Sequence, residues 1–189
     1  MKEYIVTVMA PDRTGIVHDI SGALCSLDGN ITHLSQTVLR GYFTLIISAE
    51  FPDDKSQLEI RQALERNGEV GEFEVNVRPY IPNVQRKSNN TQLFVLSMQG
   101  DDRKGIIAST TQCLSEHNIN VEDLYSYVVD GKLLVLAQVS VPDNIDIELV
   151  RLELENIGKQ FNLIVHFMHE NIFKATSEVK QLVIKKESI

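Results

Sequence analysis

The stretch Asp12-Arg13-Thr14-Gly15-Ile16-Val17 recurs ninety residues later as Asp102-Arg103-Lys104-Gly105-Ile106-Ile107. The same spacing relates further identical pairs, and no gap is needed between Asp12 and Asp143. These pairs are Leu24 and Leu114, Asn30 and Asn120, Leu34 and Leu124, Val38 and Val128, Gly41 and Gly131, and Pro52-Asp53 and Pro142-Asp143. A spacing that stays constant over about forty residues predicts two copies of one module. Since two copies are too few for a solenoid, we predict two tandem domains.

Each copy predicts the element order βαββαβ. In the first copy, apolar residues recur with helical spacing from Ile16 to Leu27, and Gly29 lies near the end of that helix. Arg40-Gly41 predicts a tight hairpin turn between two β-rich runs. The predicted strands are Tyr4 to Met9, Ile31 to Leu39, Tyr42 to Phe51 and Phe73 to Val77, with a second helix from Leu58 to about Asn67.

The second copy predicts the same order. Its strands are predicted at Leu93 to Met98, Val121 to Val129, Lys132 to Val141 and Phe161 to Phe167, with helices from Ile106 to Leu114 and from Ile147 to Ile157. The fold class is therefore α+β, with two ferredoxin-like βαββαβ domains whose antiparallel sheets carry both helices on one face. We predict domains at residues 1–80 and 91–168, a linker at 81–90, and a C-terminal helix and tail at 169–189.

The charge and composition of the chain argue against nucleic-acid binding and against contact with a membrane. The formal net charge is −8 over 189 residues. Because proteins that bind duplex nucleic acid gain affinity from Lys and Arg on phosphates, direct nucleic-acid binding is not expected. Two cysteines without zinc-type spacing, no signal peptide and no apolar run of membrane-spanning length predict a cytoplasmic protein that does not contact a membrane.

No catalytic or metal-binding pattern stands out in the sequence. The five histidines are scattered, and no GxSxG, HExxH or P-loop motif is present. Acidic runs such as Glu153-Leu154-Glu155 are typical of solvated helix faces. We therefore expect a protein that is not an enzyme and has no catalytic residue, no metal site and no cofactor.

The loop before the first helix of each copy is the candidate binding site. A helix N-terminus exposes unpaired N–H groups that can hold a carboxylate, and Gly15 would let the backbone approach a ligand. Asp12 could accept hydrogen bonds from an ammonium group, and Asn30 could orient the ligand. The alternative is purely structural: Asp12 caps the helix, Gly15 eases a turn, and Asn30 adopts a left-handed conformation.

These motifs together resemble the ACT domain. The resemblance lies in Asp-Arg-x-Gly-Ile-Val, the apolar helix after it, and Gly-Asn-Ile followed by a hairpin. ACT domains are small βαββαβ regulatory modules, and a tandem pair without an attached enzyme is similar to the glycine cleavage system transcriptional repressor family. The resemblance covers nearly the whole chain apart from the linker.

The resemblance implies which residues bind a ligand. ACT domains that bind amino acids often hold them at a domain–domain interface, with the first loop, the start of the first helix and the Asn of the second strand. The implied residues are Asp12, Arg13, Gly15, Ile16, Asn30, Asp102, Arg103, Gly105, Ile106 and Asn120. Many loops of the family have Pro before the Gly, where this chain has Thr14 and Lys104. The two copies also differ from each other just before the motif, at Ala10-Pro11 and Gly100-Asp101, so the two sites need not be equivalent.

Two functions follow as hypotheses. The first is a non-enzymatic regulator that binds an amino acid and acts on a protein partner, with indirect transcriptional regulation of amino-acid or glycine metabolism as one form. The alternative is an interaction scaffold, or a regulatory subunit of a separate metabolic enzyme, that binds no ligand. A ferredoxin-like unit leaves one sheet face and an edge strand to be covered, and side-by-side or face-to-face packing of the two copies would cover them. A homo-oligomer is also expected, and the sequence leaves open whether the pairing of ACT domains is within or between chains.

Overall fold

The computed structural model describes residues 1–82 and 90–175, and the chain divides into two compact units, Met1–Val84 and Gln85–Ile189. Parts of the predicted linker and C-terminal segment, residues 83–89 and 176–189, lie outside the described residues. The domain limits at 1–80, 81–90, 91–168 and 169–189 therefore stay predictions. Within the described ranges, no helix combines the length and apolarity that crossing a bilayer requires.

The first unit has the predicted order βαββαβ. Its elements are β1 (Lys2–Pro11), α1 (Ile16–Cys25), β2 (Asn30–Leu39), β3 (Tyr42–Phe51), α2 (Gln57–Asn67) and β4 (Glu74–Pro79). The sheet is antiparallel in the order β2-β3-β1-β4. Apolar residues at alternate positions of β1 and β3, such as Val6 and Ile47, pack under the two helices and form the core.

The second unit repeats this arrangement. Its elements are β5 (Thr91–Asp101), α3 (Ile106–Glu116), β6 (Asn120–Val129), β7 (Lys132–Pro142), α4 (Ile147–Phe161) and β8 (Leu163–His169), with the sheet order β6-β7-β5-β8. The predicted C-terminal helix begins at Glu170 and is described to residue 175. Its first residue is tied to β7, because Gln138 Nε2 donates to Glu170 Oε1 at 3.1 Å.

Both predicted hairpin turns are confirmed. Arg40 and Gly41 have φ angles of 51° and 81°, and Asp130 and Gly131 have φ angles of 50° and 73°. Two consecutive residues with positive φ form the two-residue turn whose twist matches that of the flanking strands.

Two predicted helix ends are wrong. Phe161, predicted to begin the last strand, is the last residue of α4, and the left-handed Asn162 ends that helix. The helix α1 ends at Cys25 instead of Leu27, and the left-handed residue after it is Asp28, one position before Gly29. In each case an Asp or Asn takes the conformation that glycine usually supplies, because its short polar side chain tolerates it.

Candidate functional site

The helices α1 and α3 both begin without a side-chain cap. Gly15 is the N-cap residue of α1 with a φ of 88°, and Gly105 is that of α3 with a φ of 96°. No side chain accepts a hydrogen bond at either N-cap, so the alternative that Asp12 caps the helix is wrong. The first-turn amides, which in most helices bond to a Ser, Thr, Asp or Asn oxygen, are left without one.

The predicted isoleucines are core residues. Ile16 and Ile106 are 3% and 1% exposed, and each packs into the hydrophobic core of its own unit. Their side chains cannot reach a ligand at the surface. Their contribution to a site is therefore limited to the backbone N–H at the start of the helix.

The loop that carries Asp12 is fastened to the hairpin turn of the same sheet. The Asp12 N–H donates to the Gly41 carbonyl at 2.8 Å, and the Asp102 N–H donates to the Gly131 carbonyl at 3.0 Å. Both Asp side chains are exposed and form no hydrogen bond or ion pair within the described part of the chain. A carboxylate held on a fixed loop is therefore available to a ligand in each unit.

Arg13 holds the first loop in place. Its guanidinium is paired with the Glu72 carboxylate, and its Nη2 lies 2.7 Å from Asp19 Oδ2. The same group lies 5.9 Å from the centre of the Phe73 ring. The Arg13 hydrogen bond is the main cause that holds the pKa of Glu72 below its usual range. Arg13 is therefore already engaged with the protein's own acids.

The equivalent Arg103 lacks these partners. The residues ninety positions after Asp19 and Glu72 are Ser109 and Asn162, and neither carries a charge. Arg103 is exposed and forms no ion pair with any residue in 1–82 or 90–175. Two loops with the same Asp-Arg-x-Gly sequence thus differ: Arg13 forms ion pairs with Glu72 and Asp19, whereas Arg103 forms no ion pair in the described residues and acts on Asp101 only at longer range.

The structure does not bring the predicted asparagines to these loops within either unit. Asn30 pairs with Glu50, which in turn pairs with Glu3 near the start of β1, whereas Asp12 follows the end of that strand. The eight residue positions from Glu3 to Pro11 span roughly 27 Å at about 3.4 Å per residue. One unit alone therefore cannot form the predicted Asp–Asn clamp.

Asn120 lies at the matching position in the second unit. Its Nδ2 donates to the Val121 carbonyl at 3.2 Å and to Glu122 Oε1 at 2.6 Å. With Thr111 and Ser115 it lines a shallow groove of about 450 Å³ between α3 and β6. Both Asn30 and Asn120 begin a strand. The alternative of a left-handed asparagine is therefore wrong.

Replacing Gly15 with alanine is expected to destabilise the first unit by about 1–2 kcal/mol, because a left-handed backbone places Cβ against the following carbonyl. Chemical denaturation of the full chain measures this loss. Gly22→Ala is the matched control, since Gly22 lies in α1 with no atom within 4 Å of an added Cβ. The control should gain about 0.5–1 kcal/mol. Equal effects of the two variants would contradict the assigned conformation of Gly15.

Glu72 should make the first unit sensitive to acid. Its folded pKa is below the ordinary value of 4.5, so its contribution to stability is present above that value and is lost as the pH falls through the folded pKa. The Glu72→Gln variant should therefore lose less stability than the wild type from about pH 6 to about pH 3 in urea titrations. Glu74→Gln, at an exposed neighbouring position, should keep the wild-type slope. The same slope for all three proteins would contradict the role of the Arg13–Glu72 pair.

The structure also reveals a polar cluster that the sequence analysis missed. Cys113 of α3 and His117, the residue that caps the end of that helix, meet Glu153 of α4 at the seam between the two helices. Burial is the main cause that raises the pKa of the Cys113 thiol to about 11, and a hydrogen bond from His117 lowers the pKa of Glu153. The spacing of four residues between Cys113 and His117 was a usable signal, but Glu153 is 40 residues from Cys113.

Comparison with known proteins identifies the module. The ACT domain family matches residues 3–78 and again residues 92–168. The chain belongs to the ACT-domain family. ACT domains are regulatory modules that bind small ligands such as amino acids, so the predicted regulatory class is confirmed at this level.

Single-domain relatives match one ACT domain at a time. A UPF0237 protein of Pyrobaculum aerophilum is 35% identical over 85 residues, which cover 44% of this chain and 93% of the relative. A UPF0237 protein of Methanosarcina mazei is 38% identical over 76 residues, which cover 40% of this chain and 83% of the relative.

Two solved structures match the tandem chain as a whole. A protein of unknown function from Galdieria sulphuraria has a TM-score of 0.72 at 24% identity, with 89% of this chain and 98% of that chain covered. A protein described as a glycine cleavage system transcriptional repressor has a TM-score of 0.65 at 14% identity, with the same coverage. At these identities the similarity establishes the fold, and it confirms the predicted tandem ACT architecture.

Proposed function

We propose that the protein is a non-enzymatic regulator that binds a free amino acid and passes the signal to a protein partner. The observation that carries this proposal is the uncapped helix N-terminus, preceded by a left-handed glycine, in both ACT domains. An uncapped N-terminus combines free amide donors with the positive end of the helix dipole, which suits a carboxylate.

The second ACT domain has the better-equipped loop. The first-turn amides of α3 and the guanidinium of Arg103, which forms no ion pair in the described residues, would hold the ligand carboxylate, and Asp102 would accept hydrogen bonds from its ammonium group. All of these groups belong to one loop, so this domain can address both charged ends without Asn120. In the first domain Arg13 is committed to Glu72 and Asp19. We therefore expect that loop to bind the same ligand more weakly.

Ligand binding would be coupled to the rest of the domain through the hairpin turn that the loop contacts. A ligand on Asp102 and Arg103 acts beside the hydrogen bond between Asp102 and Gly131 at the hairpin tip. A ligand can shift the protein only by binding one state better than another, so the loop–hairpin contact is the element that it would bias. With a net charge of −8, a transcriptional role would be exerted through a partner. Two free cysteines suit a reducing cytoplasm.

Thermal unfolding of the full chain with a panel of free amino acids, glycine and serine included, tests this proposal. A ligand present at about 100 times its Kd should add about 2.7 kcal/mol. Arg103→Ala should abolish most of this gain without lowering the unliganded stability. Arg13→Ala, the matched variant, should lower the unliganded stability and keep the gain. Absence of any gain at millimolar concentrations of every amino acid would overturn the proposal.

The alternative function, a scaffold or regulatory subunit without a ligand, is favoured by one feature of the second domain. On the sheet face opposite its helices, Tyr125, Tyr127 and Leu134 are 49%, 57% and 46% exposed. Exposed apolar groups on one face are typical of protein-binding surfaces, and a second copy of the chain would bury them in a homo-oligomer. This alternative predicts that Tyr127→Ser weakens self-association in sedimentation experiments, while no amino acid changes the melting temperature.

A further inference from the structure

Three side chains that bind metals converge between α3 and α4 of the second ACT domain. His117 Nε2 lies 2.8 Å from Glu153 Oε2, and Cys113 Sγ lies 3.6 Å from the same oxygen. One ligand atom from each residue lies within 4.8 Å of the other two, and the described residues contain no other group of this kind. Cys113 and His117 are four residues apart, so they share one face of the helix end.

Two of the three ligand distances approach those of a tetrahedral zinc site, and the third, between Cys113 and His117, is at most 4.8 Å. Zinc binds nitrogen and oxygen at about 2.0 Å and sulfur at about 2.3 Å, which places tetrahedral ligand atoms about 3.3–3.6 Å apart. The Cys113–Glu153 distance of 3.6 Å already fits this range. The His117–Glu153 hydrogen bond would have to lengthen by about 0.5 Å to admit the metal. That movement is small for two side chains that are 19% and 41% exposed.

The first ACT domain shows that the fold does not require these three residues. The residues ninety positions before Cys113, His117 and Glu153 are Ala23, Leu27 and Ala63. Ala23 is buried, and Leu27 packs against the first hydrophobic core. These three positions are thus apolar in one domain and hold a thiol, an imidazole and a carboxylate in the other. All three changes bring a zinc-binding group, which a packing requirement does not explain.

The surroundings of the cluster suit a divalent cation. Glu153 contacts the Cys113 thiol, and Glu116 acts on it electrostatically, so negative charge lies near the site. Cys113 is 5% exposed, whereas the other two ligands reach solvent and leave a path of entry. Zinc takes thiolate, imidazole and carboxylate together, and three protein ligands leave a fourth position for water.

We propose that Cys113, His117 and Glu153 form a zinc site that joins α3 to α4 in the second ACT domain. On binding, Zn²⁺ takes the place of two protons. The Cys113 thiol proton is released to solvent, and the proton that His117 Nε2 shares with Glu153 moves to Nδ1 in a neutral imidazole or is released to solvent from an imidazolium. The hydrogen bond between His117 and Glu153 is thereby replaced by one bond from each residue to the metal. The site is separate from the loop proposed to bind an amino acid, so either site can fail without the other.

Titration of the full, chelator-treated chain with Co²⁺ as the spectroscopic probe tests the proposal. We expect one Co²⁺ per chain, with a thiolate-to-cobalt charge-transfer band, visible bands of tetrahedral intensity, and displacement by Zn²⁺. Zn²⁺ should also raise the melting temperature. Cys113→Ala should remove the charge-transfer band and weaken Zn²⁺ binding by at least about 100-fold, since the loss of a mere supporting contact already costs 10–100-fold.

Two control variants complete the experiment. Cys25→Ala removes the exposed cysteine and should leave the cobalt spectrum unchanged. The triple variant Cys113→Ala, His117→Leu and Glu153→Ala gives the second domain the residues that the first domain has at these positions. It should therefore fold and bind no Co²⁺ at this seam. The proposal is overturned if the wild type shows no charge-transfer band, if that band survives in Cys113→Ala, or if Cys25→Ala abolishes it.

Discussion

Phe51→Ala is expected to destabilise the first ACT domain by about 3–5 kcal/mol, the largest loss from any single truncation that we propose. The Phe51 side chain is 0% exposed at the end of β3. Its ring packs edge-on against Tyr4 with centroids 6.0 Å apart and also covers the backbone of Gly29. Truncation therefore removes buried apolar area and leaves a cavity between the sheet and the end of α1.

Tyr42→Ala is the matched control for this variant. Tyr42 is at the other end of β3, and the residue is 58% exposed. Its truncation should cost less than about 1 kcal/mol, because exposed substitutions away from special features have small effects. Urea denaturation followed by far-UV circular dichroism measures both losses. Similar losses in the two variants would show that the ring of Phe51 does not support the core as described.

Gly29→Ile should destabilise the same domain by about 3 kcal/mol or more, because the site is overpacked by any side chain. A Cβ on Gly29 would lie 2.5 Å from Phe51 Cε1 and 2.7 Å from the Leu24 carbonyl. The second domain has Ile119 and Val141 at the two corresponding positions, and both are buried. The two domains thus fill the corresponding core space with different side chains. In the first domain the large side chain is Phe51 of β3, and in the second it is Ile119, after the end of α3.

This exchange of volume predicts a rescue. Adding Phe51→Val to Gly29→Ile reproduces the pair found in the second domain and should recover up to about 3 kcal/mol of coupling energy. The control double variant, Gly29→Ile with Phe43→Val, changes a buried Phe at the far end of β3 and should recover nothing. A double-mutant cycle with denaturation free energies measures the coupling. If Phe51→Val and Phe43→Val had the same effect, the two positions would not share one space.

The architecture could be predicted because hydrophobic periodicity and turn chemistry are local. The alternation along β3, the helical spacing after Ile16 and the Arg40-Gly41 turn each depend on residues within a few positions. The repeat then extended one assignment to both domains. Helix ends were less predictable: Phe161 precedes an apolar run that is typical of a strand, yet the left-handed Asn162 keeps it in α4.

The positions of the two candidate loops could be predicted from the sequence, but the partners of their side chains could not. The recurrence of Asp-Arg-x-Gly identified the start of α1 and α3, and the conformations of Gly15 and Gly105 agree with a backbone that a ligand can approach. Within one domain, Asp12 and Asn30 lie at opposite ends of the sheet, and their joint role in binding a ligand stays a prediction. The two ends of a strand of ten residues lie far apart. Asp12 precedes α1 and Asn30 follows it, so the two residues lie at opposite ends of the same helix although both are near it in sequence.

The sequence by itself determined the twofold repeat, the βαββαβ order, the hairpin turns and the positions of the two loops, because each is written in contiguous residues. Only the tertiary structure decided that Arg13 forms ion pairs and Arg103 does not, since Glu72, the partner of Arg13, is 59 residues away in the sequence. Packing of α3 on α4 likewise brings Glu153 to Cys113 and His117. Partners of this kind depend on how helices and loops meet in space, and two identical motifs acquire different chemistry from distant neighbours.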